Sequence, residues 1–81
     1  MSLEEELAKL RQRRRSVRPG EMHRLLSEAG FERRHGKGDH WIYTHPRRRF
    51  PLTIDPRNPL LPAYVSRAIR ALEEVLGDED G

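Results

Sequence analysis

The feature that most constrains the fold is a change of hydrophobic period in the middle of the chain. Between residues 31 and 54 apolar and polar residues alternate, as in strands, whereas on both sides apolar residues recur every three or four positions, as in helices. The alternating part divides into three short strands, "FERRH", "HWIYTH" and "RFPLTI", joined by a glycine-rich turn and by a proline-arginine turn. Connections this short favour antiparallel pairing.

The alternation also predicts which face of the sheet is buried. In the middle strand, Trp41, Tyr43 and His45 share one face, while His40 and Ile42 share the other. Because two aromatic rings bury more apolar area than one isoleucine, we expect Trp41 and Tyr43 to face the core and His40 to lie on the open face.

The third strand has the clearest pattern. Phe50, Leu52 and Ile54 fall on one predicted face. Pro51 cannot donate a hydrogen bond to a neighbouring strand, so it favours an edge position in the sheet.

Three helices are predicted around the strands. Ser2 and Glu5 fit a capping box for a first helix that runs to about Arg15. Pro19 begins a second helix that Gly30 ends, and a last helix runs from Pro62 to Gly77. The apolar stripes of these helices are Leu3, Leu7 and Leu10; Met22, Leu25, Leu26 and Ala29; and Val65, Ala68, Ile69, Leu72 and Val75 or Leu76.

This order predicts an α+β fold: an α-β-β-β-α domain, with a three-stranded antiparallel sheet covered by two helices on one face, preceded by an extra N-terminal helix. The predicted boundaries are an N-terminal helical extension at 1–16, the domain at 17–77 and an acidic tail at 78–81. A chain of 81 residues is too short for two cores, so any site must lie on a surface or in a shallow groove.

Composition excludes several classes of protein. The chain has no cysteine, which excludes disulfides and thiolate metal sites. No apolar run approaches the roughly 18 residues that a membrane span needs, and the acidic N-terminus lacks the basic flank of a signal peptide. We therefore expect no membrane association and a cytoplasmic location.

The distribution of charge indicates a polyanionic partner. Net charge is +3, but residues 11 to 49 contain twelve Arg or Lys against four Asp or Glu, so the basic charge is concentrated there. A solvated arginine surface is the alternative interpretation. The residues predicted to contact RNA phosphates are Arg33, Arg34, Lys37, Arg47, Arg48 and Arg49.

One histidine stands where the glycine-rich turn becomes a strand. His40 supplies an imidazole, a side chain type that serves in acid-base chemistry, Lys37 supplies a cation, and Gly38 allows close backbone approach, a combination suited to phosphodiester chemistry. The alternative interpretation is an ordinary hairpin turn followed by a solvated histidine. The spacing of His35, His40 and His45 is not a recognised metal-ligand pattern, so we expect neither a metal nor another cofactor.

The stretch "EMHRLLSEAGFERRHGKGDHWIYTHP" resembles the core of the HicA-type mRNA interferase toxins, over roughly residues 17 to 76. Ala29-Gly30-Phe31 stands at the helix-to-strand junction, Gly38-Asp39-His40 at the Gly-Ser-His motif, and His45-Pro46 at the following turn. The resemblance implies a fold similar to a double-stranded-RNA-binding domain. It also implies that His40 is the catalytic residue of a metal-independent endoribonuclease silenced by a HicB-type antitoxin.

The chain departs from the family pattern in three places. Asp39 replaces the usual serine or other small residue, and the alternatives are that it orients His40, favours the protonated form of His40 or repels RNA. The segment "IDPRNPLLP" lacks a Pro-x-His motif. The N-terminal helix is additional, and it is placed to cover the open face or, if its leucines cannot dock on the chain itself, to form a homodimer.

The hypothesis for chemistry is that His40 acts as general base on a ribose 2′-hydroxyl, giving a 2′,3′-cyclic phosphate. The candidates for a second acid-base group are Tyr43, His45 and His35, although a structural role is the simpler interpretation of each. The alternatives are a non-catalytic RNA-binding module, in which Asp39 has abolished the chemistry, and a pure interaction domain that depends on Leu7.

Overall fold

Three helices and three strands form within residues 2–77, the part of the chain that the computed structural model describes. They are α1 Leu3–Gln12, α2 Pro19–Glu28, β1 Glu32–His35, β2 Trp41–Thr44, β3 Leu52–Ile54 and α3 Pro62–Gly77. The α+β class and the order of elements are therefore confirmed. The predicted acidic tail at 78–81 lies outside the described residues.

The strands form one open antiparallel sheet in the order β1-β2-β3. Tyr43 in the central strand is opposite Arg33 of β1 and Leu52 of β3. The third strand is at an edge, as the proline before it predicts. No helix within residues 2–77 combines the length and the apolar character needed to cross a membrane.

One face of the sheet packs against the helices. Tyr43, Leu52 and Ile54 are buried on this face in the same apolar cluster as side chains of all three helices. Ile42 and Thr53 are opposite each other on the other face, which no helix covers in the described chain. The predicted orientation of β2 is therefore correct, with Trp41 half-buried at the border of the core.

The predicted position of Phe50 is wrong. Its side chain is 69% exposed, and the residue lies in a bend before β3 rather than in the strand. Pro51 has no N–H to pair, so the ladder begins only at Leu52, and the alternation does not extend back to Phe50.

The end of α2 follows the sequence prediction. Gly30 has a φ of 97°, a left-handed conformation that strongly favours glycine. The Phe31 N–H donates to the Leu26 carbonyl (2.9 Å) and the Gly30 N–H donates to the Ser27 carbonyl (3.1 Å), the two hydrogen bonds of a Schellman motif. This turn directs the chain from the helix into β1.

The first helix begins as predicted but ends early. Ser2 and Glu5 form the capping box. The helix ends at Gln12 rather than near Arg15 because Arg13 leaves the helical conformation and its guanidinium pairs with Glu21 of α2. The turn that follows buries Val17 completely.

α1 belongs to the helical layer and does not cover the open face. Leu7 and Leu10 are buried in the common core. Arg11 pairs with Glu73 of α3 (2.6 Å), and Arg24 of α2 pairs with Glu6 (2.6 Å). The leucine stripe is thus used within the chain, which removes the condition under which a homodimer through this helix was expected.

Leu10→Ala is expected to destabilise the domain by about 2–5 kcal/mol, because its side chain is fully buried and the substitution leaves a cavity. Leu61→Ala is the matched control, since Leu61 is 41% exposed, and its cost should be below about 1 kcal/mol. Urea denaturation followed by circular dichroism measures both. Equal effects would show that α1 contributes nothing to the core.

Candidate functional site

The turn between β1 and β2 fixes the position of His40. The Gly36 N–H donates to the His40 carbonyl (2.9 Å), which closes the hairpin. Gly38 has a φ of 64°, so the turn needs a residue that tolerates the left-handed region. His40 therefore stands at the rim of the sheet, one residue before β2 begins.

The His40 side chain is exposed, and one of its nitrogens has a partner. Its Nδ1 lies 3.3 Å from the Lys37 carbonyl oxygen. A carbonyl can only accept, so Nδ1 carries the hydrogen in the neutral ring, and Nε2 is the basic nitrogen. The turn thus presents a proton acceptor to solvent.

An open cleft of about 890 Å³, here called the His40 cleft, lies beside this histidine. One wall is the turn, and the other is the segment after β3. The two meet because β3 is antiparallel to β2, so that the end of β3 lies next to the start of β2. The cleft is lined by Lys37, Gly38, Asp39, His40, Trp41, Asp55, Pro56 and Arg57.

The second wall is held in place by the core. Leu60 is buried, and its N–H donates to the Val17 carbonyl (2.8 Å). Within this wall the Arg57 Nε donates to the Asp55 carboxylate (3.0 Å). This arrangement places a guanidinium across the cleft from His40.

The charges that line the cleft balance. Lys37 and Arg57 supply two positive charges, and Asp39 and Asp55 supply two negative ones. Among the hydrogen bonds of the described residues, His40 contacts the Lys37 backbone and not Asp39. Asp39 therefore acts on the cleft through its charge and does not orient the imidazole.

The predicted RNA-binding residues do not form one surface. Lys37 lines the His40 cleft. The Arg33 guanidinium lies 4.6 Å from the centre of the Trp41 ring, on the helix-covered side of the sheet. Arg34 is opposite Ile42 on the open face.

The run Arg47, Arg48 and Arg49 lies at the opposite end of β2 from His40, since the strand separates the two turns. Arg47 donates to the Val75 carbonyl (3.2 Å), and Arg48 pairs with Glu74 (2.9 Å). These two arginines therefore hold the second turn against α3.

The contacts of Tyr43 and His45, two of the other acid-base candidates, fit a structural role, whereas His35 is exposed. Tyr43 is fully buried, and burial raises its pKa to about 12. His45 lies at the far turn, where Nε2 donates to the Ala29 carbonyl (3.0 Å) and Nδ1 accepts from the Arg47 N–H (3.0 Å). His35 is exposed at the end of β1 and is opposite Trp41.

A second titratable cluster lies on the helix-covered side. The His23 Nδ1 is 2.9 Å from the Tyr43 hydroxyl, and the His23 ring meets the Trp41 ring edge to face. Burial, and then the nearby positive charge of Arg33, lower the pKa of His23. Both effects disfavour protonation of this ring, which is a hydrogen-bonding partner of the core tyrosine.

Within residues 2–77, no three His, Asp or Glu side chains come together as metal ligands. Comparisons with protein-family models, with curated proteins and with solved structures found no match for this chain.

Sequence reasoning missed Arg57 and His23. Arg57 stands in a proline-rich loop that carried no periodic signal, although antiparallel order would have placed the end of β3 beside His40. His23 is on α2 next to the buried Met22, and no local pattern indicated its contact with Tyr43.

The stability of the domain is expected to fall as pH drops below 6.5, the ordinary pKa of histidine, partly because of His23. Its pKa is lowered in the fold, so the unfolded chain binds more protons in this range, and protonation favours unfolding. His23→Gln removes this contribution. It should lose less stability than the wild type between about pH 7.5 and about pH 5.5 in urea denaturation.

In this range the carboxylates of Glu6 and Glu21 stay ionised, because their arginine partners lower the pKa of each below 4.5. An identical loss in the wild type and the variant would show that His23 does not titrate differently in the fold.

Proposed function

We propose that this protein is an RNA-binding endoribonuclease, an mRNA interferase toxin that acts in the cytoplasm without a metal. The observation that carries the proposal is the exposed His40, whose Nε2 is free as a base at the rim of an open cleft. Lys37 and Arg57 line the same cleft. The resemblance to HicA-type toxins assigns catalysis to the same histidine.

The reaction follows from these groups. The His40 Nε2 takes the proton of a ribose 2′-hydroxyl, and the 2′-oxygen attacks the adjacent phosphorus. The P–O5′ bond breaks, and the 5′-oxygen leaves with a proton from water, which the open cleft admits. The products are a 2′,3′-cyclic phosphate and a 5′-hydroxyl.

Lys37 and Arg57 are assigned the stabilisation of the transition state. The phosphorane formed by attack carries additional negative charge on its non-bridging oxygens, and two cations in the same cleft favour it. The negative charges of Asp39 and Asp55 reduce this stabilisation of the phosphorane. This balance predicts that binding of substrate depends on cations outside the cleft.

The finer features of the proposal come from the resemblance. The placement of α2 and α3 on one face of a three-stranded sheet supports a fold similar to a double-stranded-RNA-binding domain, to which α1 is added on the same face. A HicB-type antitoxin is the proposed partner, and covering His40 would be enough to silence the enzyme, since this residue is exposed.

His40→Ala should lower the rate of RNA cleavage by about 10²–10⁴-fold, the contribution expected of a general base. The assay uses a long RNA in the presence of a chelator, with fragments followed on a gel and their ends tested for cyclic phosphate. His35→Ala is the matched control because His35 is also exposed and lies on the other side of the same turn. It should retain most activity.

The two variants distinguish His40 from His35 as the base. Equal cleavage by the wild type and His40→Ala would reject His40 as the base. Loss of activity only in His35→Ala would assign the role of the base to His35, on the other side of the turn.

Asp39→Asn is expected to lower KM by about five-fold and to leave kcat nearly unchanged. A carboxylate about 4 Å from a phosphate in water costs about 1 kcal/mol in binding, and this substitution removes that repulsion. Asp39 makes no hydrogen bond to His40, so the base keeps its orientation. Steady-state kinetics on a short RNA measures both constants, and a large fall in kcat would show that the carboxylate is needed for chemistry.

The second candidate function is a non-catalytic RNA-binding module. The balanced charge of the His40 cleft is the observation in its favour, since two carboxylates there weaken the stabilisation of a phosphorane. In this case RNA binding would be salt-sensitive and unaffected by His40→Ala, and neither protein would cleave RNA.

A further inference from the structure

A groove on the far side of β3 carries positive charge without a lining carboxylate. It has a volume of about 310 Å³ and runs along the free edge of the strand, with α3 as its other wall. We call it the arginine groove. Its lining residues are Arg48, Pro51, Leu52, Thr53, Arg67 and Arg70.

Two of these arginines have no ion-pair partner among residues 2–77. Glu74 pairs with Arg48 at 2.9 Å. Within residues 2–77 neither Arg67 nor Arg70 forms an ion pair, and the Arg67 guanidinium rests 5.4 Å from the centre of the Tyr64 ring. An anion in the groove would therefore meet two guanidinium groups that no carboxylate of residues 2–77 neutralises by an ion pair.

The position of the groove relates it to the His40 cleft. The cleft begins at Asp55, just after β3, and the groove includes Pro51, just before the strand. Four residues of extended chain separate these positions by about 13 Å. A few nucleotides of single-stranded RNA cover this distance along the strand edge.

The two sites also differ in charge. The cleft has equal numbers of acidic and basic lining residues, whereas the groove has three arginines and no acidic lining residue. A phosphate chain that reaches both would be held mainly by the groove and cut at the cleft. Arginine suits this task because its planar fork donates two hydrogen bonds to one phosphate.

We propose that the arginine groove is a phosphate-binding site for the same RNA strand, and that Arg67 and Arg70 each neutralise one backbone phosphate a few nucleotides from the bond cleaved at His40. This inference rests on the proposed function, because it takes RNA as the ligand. It adds a binding site built from α3, a helix to which the sequence assigned only a role in the core.

The test measures the salt dependence of binding to a fluorescently labelled, fully 2′-O-methylated RNA of about 12 nucleotides, within the range of single-strand site sizes. The methyl groups remove the attacking hydroxyl, so binding is followed without cleavage. Each neutralised phosphate of a single strand contributes about 0.7 to the slope of log K against log salt. Arg67→Gln and Arg70→Gln should each lower the slope by about 0.7, and the double variant by about 1.4.

Lys9→Gln is the charge-matched control. Lys9 is exposed on α1 and borders a pocket formed with α2, away from β3, so its removal should leave the slope unchanged. Circular dichroism and thermal unfolding establish that every variant is folded. A double variant with the wild-type slope and affinity would overturn the proposal and leave the groove to another partner, such as an acidic protein segment.

Cleavage of a trinucleotide, which is too short to fill both sites, separates this inference from the proposed function. The double variant should cleave it at the wild-type rate, whereas its cleavage of a long RNA at low concentration should fall with its affinity. A lower salt-dependence slope in the double variant, with no RNA cleavage by either protein, would support the arginine groove as a binding site and reject the proposed enzyme. Equal cleavage of long RNA by wild type and double variant, with unchanged slopes, would reject the groove alone.

Discussion

The burial of Tyr43 in the central strand is the constraint on which the rest of the structure depends. This side chain is fully buried at the middle of the sheet, and its hydroxyl is satisfied by His23 of α2 at 2.9 Å. Because neighbouring residues in a strand point to opposite faces, an inward Tyr43 places Ile42 on the open face. A slip of one residue in register would expose the ring and bury a threonine or isoleucine instead. The same packing therefore fixes the strand end from which the hairpin turn presents His40.

The sequence was sufficient to predict the elements and most of the core, since period and turn residues are local signals. Gly30 marked the end of α2, and the capping box of Ser2 and Glu5 marked the start of α1. The errors occurred where tertiary contacts overrule local pattern. α1 ends before Arg15 because Arg13 leaves the helical conformation and its guanidinium pairs with Glu21. Phe50 is exposed because the ladder of β3 starts after Pro51.

The site was less predictable than the fold, because proximity in sequence is a poor guide across a hairpin. Arg47, Arg48 and Arg49 are within ten residues of His40, yet a strand separates them and places them at the other end of the sheet. Arg57 is farther away in sequence, yet it lines the cleft with His40. Counting arginines identifies a basic chain but not a basic surface, since several of them pair with glutamates of neighbouring helices.

The openness of the His40 cleft limits how its charges can act. Lys37 and Arg57 are exposed, so water and salt screen their attraction for a phosphate, and each contributes less than a buried cation would. In the proposed enzyme, precise placement of His40 must then supply more of the catalysis. The hairpin contributes to it, because the closing hydrogen bond between the Gly36 N–H and the His40 carbonyl fixes the His40 backbone. The sheet to which this backbone belongs is held in register by the buried Tyr43. Under the proposed function, the core would hold His40 in place as the base, and surface cations outside the cleft would hold the RNA strand.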